Sequence, residues 1–145
     1  MDRTGVENWL DLYGVKNYTI NEDLSVDVNG DVDLFSSELI EIPVRFGVVS
    51  GNFDCFKNKL QSLKNCPIEV GGDFSCFNNE LLNLDGCPIK VGGNFYCGFN
   101  ELLDDYFKGL PYAQVKLYLD NKSLKSLLIS DATVLSNNIK VGKKI

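Results

Sequence analysis

A chain of 145 residues, 44% hydrophobic and 23% charged, has the size and balance of one globular domain. Its net charge of -6 and pI near 4.6 argue against direct nucleic-acid binding, which needs a basic stripe to neutralise phosphates. It has no histidine, the commonest general base and metal ligand, and no run of about 18 apolar residues to span a membrane.

The N-terminal MDRTGVENWLDLYG lacks the basic-then-apolar pattern of a secretory leader. Five cysteines without a leader read as reduced thiols in a cytoplasm. Thr4-Gly5-Val6-Glu7 has the form of a capping box. Val6, Trp9, Leu10 and Tyr13 follow at the spacing of one helical face, so a short amphipathic helix is predicted, ended by Gly14. YTI and LSVDV, separated by Asn21-Glu22-Asp23, read as a hairpin. Residues 1–29 are thus expected to form a helix-and-hairpin cap.

From Gly51 the chain repeats itself. One unit reads GNFDCFKNKLQSLKNCPIEVG and the next, from Gly72, reads GDFSCFNNELLNLDGCPIKVG, a period of 21 residues. A third starts at Gly93 as GNFYCGFNELL. The period also runs backwards to Gly30, with Val32, Leu34, Ser37, Leu39 and Ile42 in the slots of Phe53, Cys55, Asn58, Leu60 and Leu63. A degenerate unit, VKLYLDNKSLKSL, keeps Leu117, Leu119, Lys122, Leu124 and Leu127 at the same offsets. Before it, Gly109-Leu110-Pro111 stands two residues late, so Asp104–Phe107 reads as an inserted helical turn; TVLSNNIKVGKKI reads as a closing strand.

The shared skeleton is F-x-C-x-x-N-x-L-x-x-L, followed by C-P and V-G. It resembles the leucine-rich-repeat pattern L-x-L-x-x-N-x-L-x-x-L, with Phe and Cys in the first two apolar slots. The 21-residue length resembles the short bacterial type, whose convex side is extended. C-P-x-x-V-G-G-x-F-x-C is similar to leucine-rich-repeat-like proteins of large tailed bacteriophages, over roughly residues 5 to 105. The resemblance implies a phage source and brings no defined activity. The expected fold is a mainly β solenoid of short leucine-rich repeats with a parallel sheet. Residues 30–145 form that solenoid, with a degenerate C-terminal coil and cap, behind the 1–29 cap.

Each slot then has a physical meaning. Alternation puts Phe53 and Cys55 inward and Asn52, Asp54 and Phe56 outward, with coils about 4.8 Å apart. Asn58, Asn79 and Asn100 form an inward ladder whose amides satisfy backbone groups at the turn after the strand. The pairs Gly71-Gly72 and Gly92-Gly93 mark corners where positive φ angles are expected. Pro67 and Pro88 suit an extended convex side without ladder hydrogen bonds.

Chemical sites find little support. The cysteines recur at the repeat period, without a C-x-x-C, and read as small buried hydrophobes rather than metal or redox groups. Asp27, Asn29, Asp31 and Asp33 alternate along one segment, but not at the spacing of a calcium loop. No G-x-x-x-x-G-K-[ST] is present. No nucleophile pairs with a base, so no enzyme activity, cofactor or metal is expected.

The outer sheet face remains. Phe35, Phe56 and Phe77 are expected to stack as an aromatic stripe, with Tyr96, Phe99 and Tyr118 near its far end. Asp31, Asp33, Asp54 and Asp73 run beside it as steering charge. The competing expectation is a Phe column partly buried as a second core ladder. Such a face measures about 500 Å², against about 800 Å² per partner in a standard interface, so turns, cap or self-association must add area. The expected role is a protein-protein interaction module with a partner of basic character. If phage-encoded, it inhibits or redirects a bacterial host protein such as an immune component. The alternatives are a self-assembling homodimer and an acidic inhibitor of a nucleic-acid-binding protein.

Overall fold

The computed structural model of the protein describes residues 1–100. The degenerate unit at 115–127 with Tyr118, the turn at 104–107 and the closing segment 133–145 lie outside them. The described chain is a β-solenoid of about three turns behind one N-terminal helix.

Helix α1 spans Arg3–Leu12 and buries Val6 and Leu10. Its N-cap is Asp2, not Thr4: the Asp2 carboxylate accepts from the Gly5 amide at 2.8 Å. Asp caps as well as Thr does, and starting earlier adds a helical residue before Thr4. At the other end Gly14 takes φ 68°, the Gly14 amide donates to Asp11 and the Val15 amide to Leu10. Those two bonds are a Schellman closure, with buried Val15 and Leu10 as its apolar contact.

β1 (Tyr18–Ile20) and β2 (Val26–Val28) form the expected hairpin, pairing Tyr18 with Val28 and Ile20 with Val26. The hairpin does not merely cover the solenoid end. β2 pairs in parallel with β4 (Phe46–Val49), and β6 (Glu69–Val70) and β8 (Lys90–Val91) continue the sheet, stacking Val49, Val70 and Val91. A second parallel sheet holds β3 (Val32–Asp33), β5 (Phe53–Asp54), β7 (Phe74–Ser75) and β9 (Phe95–Tyr96), stacking Val32, Phe53, Phe74 and Phe95. Each coil thus gives one strand to each sheet. The expectation of an extended side without ladder bonds is corrected. Pro67 and Pro88 stand just before the first ladder donors, where their missing N–H is not needed, and the Ile68 and Ile89 amides donate to Gly47 and Ile68 at 2.8 Å.

The core lies between the sheets. A column of rings runs from Trp9 to Phe46 (6.3 Å between centroids), Phe53 (5.2 Å), Phe74 (5.8 Å) and Phe95 (5.1 Å). Beside it lie the buried stacks Leu34-Cys55-Cys76-Cys97 and Leu39-Leu60-Leu81. None of the five cysteines is joined in a disulfide. Burial pushes the Cys66 and Cys76 thiols up, and neighbouring cysteines add to the effect, which keeps both protonated and unreactive.

Two polar ladders lock coil to coil. The Asn79 amide nitrogen donates to Cys55 of the preceding coil at 2.9 Å and to Cys76 of its own at 3.1 Å, while its oxygen accepts from the Leu60 amide at 3.0 Å. Asn58 and Asn100 repeat the pattern one coil either side. At the corner, the Asn52 side-chain oxygen accepts from the Asp73 amide at 2.8 Å, as Asp31 does from Asn52 and Asp73 from Asn94.

The second ladder explains the glycine pairs, and corrects the expected positive φ. Among the described residues the positive-φ glycines are Gly14, Gly30 and Gly86; the corner pairs are not of that kind. A Cβ on Gly72 would run into the Asn52 side-chain oxygen, and one on Gly71 or Gly92 into the carbonyl of the coil before. Close approach, not backbone freedom, demands glycine here.

Asn79→Ala strands the buried Leu60 amide and takes one of two asparagine donors from the Cys55 and Cys76 carbonyls, which keep Asn58 and Asn100. It is expected to lower stability by about 2 kcal/mol, seen in thermal unfolding as a Tm about 6 °C lower. Gly72→Ala is expected to destabilise as well, and Asn52→Gly, which removes the atom it strikes, to recover part of the loss in the double variant.

Candidate functional site

The outward face of the β3-β5-β7-β9 sheet carries three parallel columns. The first is the corner ladder Asp31, Asn52, Asp73 and Asn94. The second is Asp33, Asp54, Ser75 and Tyr96, side by side in strand register. The third is aromatic: Phe35 stacks on Phe56 at 4.9 Å, Phe56 on Phe77 at 4.8 Å, and Phe77 meets Phe99 at 5.0 Å.

Both expectations for the Phe column hold in part. Phe35 and Phe99 are 47% and 45% exposed, Phe56 is half-buried, and Phe77 is 4% exposed. Rings on either side cover the middle of the stack, and only its ends and edge meet solvent. Phe77 is therefore a core residue as much as a contact residue.

Phe99 reaches the column by an irregular route. The slot of Phe35, Phe56 and Phe77 is occupied in the next coil by Gly98. Phe99 stands one place later, where Ser36, Lys57 and Asn78 take φ between 50° and 58°, and itself adopts φ 50°. That left-handed conformation is unfavourable for an aromatic residue. The ring still finds Phe77, so the stack is kept against local backbone preference.

The acids do more than supply charge. One oxygen of Asp33 accepts from the Phe35 amide at 3.0 Å, and one of Asp54 from the Phe56 amide at 2.8 Å, each fixing the turn that aims the next ring outward. Asp31 and Asp73 use one oxygen each in the corner ladder. The other oxygen of Asp33, Asp54 and Asp73 accepts no protein donor among the described residues. Burial raises the Asp54 carboxyl above the ordinary aspartate range, against the bond from Phe56, and nearby Asp33 raises it further.

Between the columns lies a groove of about 300 Å³, lined chiefly by Asn52, Asp54, Phe56, Asp73, Phe77 and Tyr96, with Ser75 at its centre. Ser75 is the smallest residue of its column, and its size opens the space. Period-two alternation alone describes the outward residues as a flat sheet and does not reveal this groove. The signal was present as the change from Asp54 to Ser75 to Tyr96 within one slot.

Among the described residues no group of three or more Cys, Asp or Glu side chains is arranged to hold a metal ion, and no helix is long and apolar enough to cross a membrane. Asp27, from the alternating acidic segment, instead accepts from the Val48 backbone amide and from the Asn21 side-chain nitrogen.

Two outcomes follow from this geometry. Exchanging the irregular pair, as Gly98→Phe with Phe99→Asn, restores the order of the preceding coil and is expected to stabilise the fold by about 1 kcal/mol in denaturant unfolding. Asp54→Asn keeps the acceptor for Phe56 and removes the charge. Because the Asp54 carboxyl is raised, the wild type loses stability as pH climbs from the ordinary aspartate range through the raised value. The Tm advantage of Asp54→Asn is thus expected to grow between about pH 3 and pH 6.

Comparison with protein-family models, with curated proteins and with solved structures returns no match for this chain.

Proposed function

We propose that the protein is a non-catalytic interaction module that binds a partner protein through the outward face of the β3-β5-β7-β9 sheet. The observation carrying this reading is the aromatic column: two of its phenylalanines, Phe35 and Phe99, are nearly half exposed, and the Asp33 and Asp54 carboxylates follow its Phe35-Phe56 end. Solvent-exposed rings on a fixed scaffold are good contact groups, since little side-chain freedom is lost on binding. The acids favour a partner of basic character and speed encounter. The repeat resembles leucine-rich repeats and, in its C-P-x-x-V-G-G wording, phage proteins of that type. On that resemblance the partner is a bacterial host protein, such as an immune component, which this protein inhibits or redirects in the host cytoplasm.

Phe35→Ala with Phe56→Ala removes the exposed end of the column that lies beside Asp33 and Asp54, while leaving Phe77, Phe99 and the inner ladder in place. Capture from bacterial lysate with the wild type, this variant and an Ile68→Ala, Ile89→Ala variant of the other sheet tests the reading. A host protein retained by the wild type and the Ile variant, and lost by the Phe variant, is the expected result. Equal retention by all three sinks the assignment of this face. A dimer that the Phe substitutions dissociate, with no host protein captured, replaces it with self-assembly.

A further inference from the structure

We propose that the groove over Ser75 is a receptor for one guanidinium group, the side chain of an arginine presented by the protein partner. This deepens the interaction reading above and rests on it.

Shape and chemistry point the same way. The groove has the small Ser75 between Asp54 and Tyr96 of the neighbouring strands, with Asp73 before it in its own coil and the edge of the Phe56-Phe77 stack after it. No lysine or arginine lines it. A flat cation that stacks on the Tyr96 ring while its edge donates to a carboxylate fits that set, and arginine is the side chain that does both. Lysine stacks poorly and presents its charge as a point. An apolar side chain would leave the carboxylates desolvated without a partner.

The carboxylates are prepared for this. Asp54 and Asp73 each spend one oxygen on a backbone amide, at 2.8 Å and 2.7 Å, which fixes the carboxylate and leaves the second oxygen to an incoming donor. Asp54 is held half-buried near Asp33, and burial and that neighbour both disfavour its charge. A bound cation offsets both effects at once. In the free protein the one ion pair among the described residues is Arg45 with Asp23, in the hairpin, so these residues offer the groove no cation of their own.

The test uses the full chain and acetyl-Gly-Arg-Gly-amide, with the citrulline and lysine analogues as neutral and point-charge controls. Amide chemical shifts are followed by NMR during titration. Binding of the arginine peptide should move Phe56, Ser75, Phe77 and Tyr96. It should be at least about tenfold tighter than for citrulline and should weaken as salt is raised to about 0.5 M. Ser75→Tyr, which fills the floor with the residue the next coil carries, and Asp54→Asn should each abolish the response while leaving the spectrum of the rest of the chain intact. Equal shifts from citrulline, or no shifts at the groove with any peptide, overturn the proposal. So does binding unchanged in both variants. None of these results bears on whether Phe35→Ala, Phe56→Ala loses a captured partner, so the two readings fail separately.

Discussion

The backbone of each coil is held to the next by a buried carboxamide. Asn58, Asn79 and Asn100 each donate to their own coil and to the one before, and accept from an amide of that preceding coil, in a buried place. A solenoid needs such a device because its turns leave backbone groups without strand partners inside the molecule. Asn alone has the short two-headed side chain that serves both donors and acceptors there. The aromatic and leucine stacks add apolar burial, but burial by itself does not choose a register. The asparagines do.

The outward face inherits that register. Because coils repeat at one fixed offset, a residue type placed at one slot becomes a column. Phe35, Phe56 and Phe77 become a stack, and Asp33 and Asp54 become neighbours despite their like charge. The corner ladder pins the same strands from the other side, through Asp31, Asn52 and Asp73. The face is therefore rigid before any partner arrives. Rigidity of that kind lets a small area act as a specific surface.

Much of the architecture was legible in the sequence because period and slot identity are sequence properties. The inner Phe and Cys stacks, the asparagine ladder, the helix and the hairpin all follow from counting. What escaped was contact between coils, which a period does not encode. Gly72 is glycine because Asn52 lies against it, not because its φ is unusual. The second sheet escaped because two-residue strands after a proline carry almost no alternation to read. The groove escaped for a related reason: it is made by one small residue, Ser75, between larger ones above and below. The displacement of Phe99 into a left-handed slot was visible as GFN in place of FNN, but only geometry shows that its ring rejoins the column.

The corner and asparagine bonds share one further property. Those that cross from coil to coil join residues 19, 21 or 24 positions apart, never an arbitrary number. A lineage carrying this scaffold cannot lengthen or shorten an inner coil by a few residues without breaking several bonds at once. It can gain or lose a whole coil of 21 residues, since the new neighbours would meet the same partners as the old. Size change is thus quantised, and each added quantum extends the outward face by about 4.8 Å. Variation by coil duplication would lengthen the surface and multiply grooves, leaving the chemistry of each one as it was.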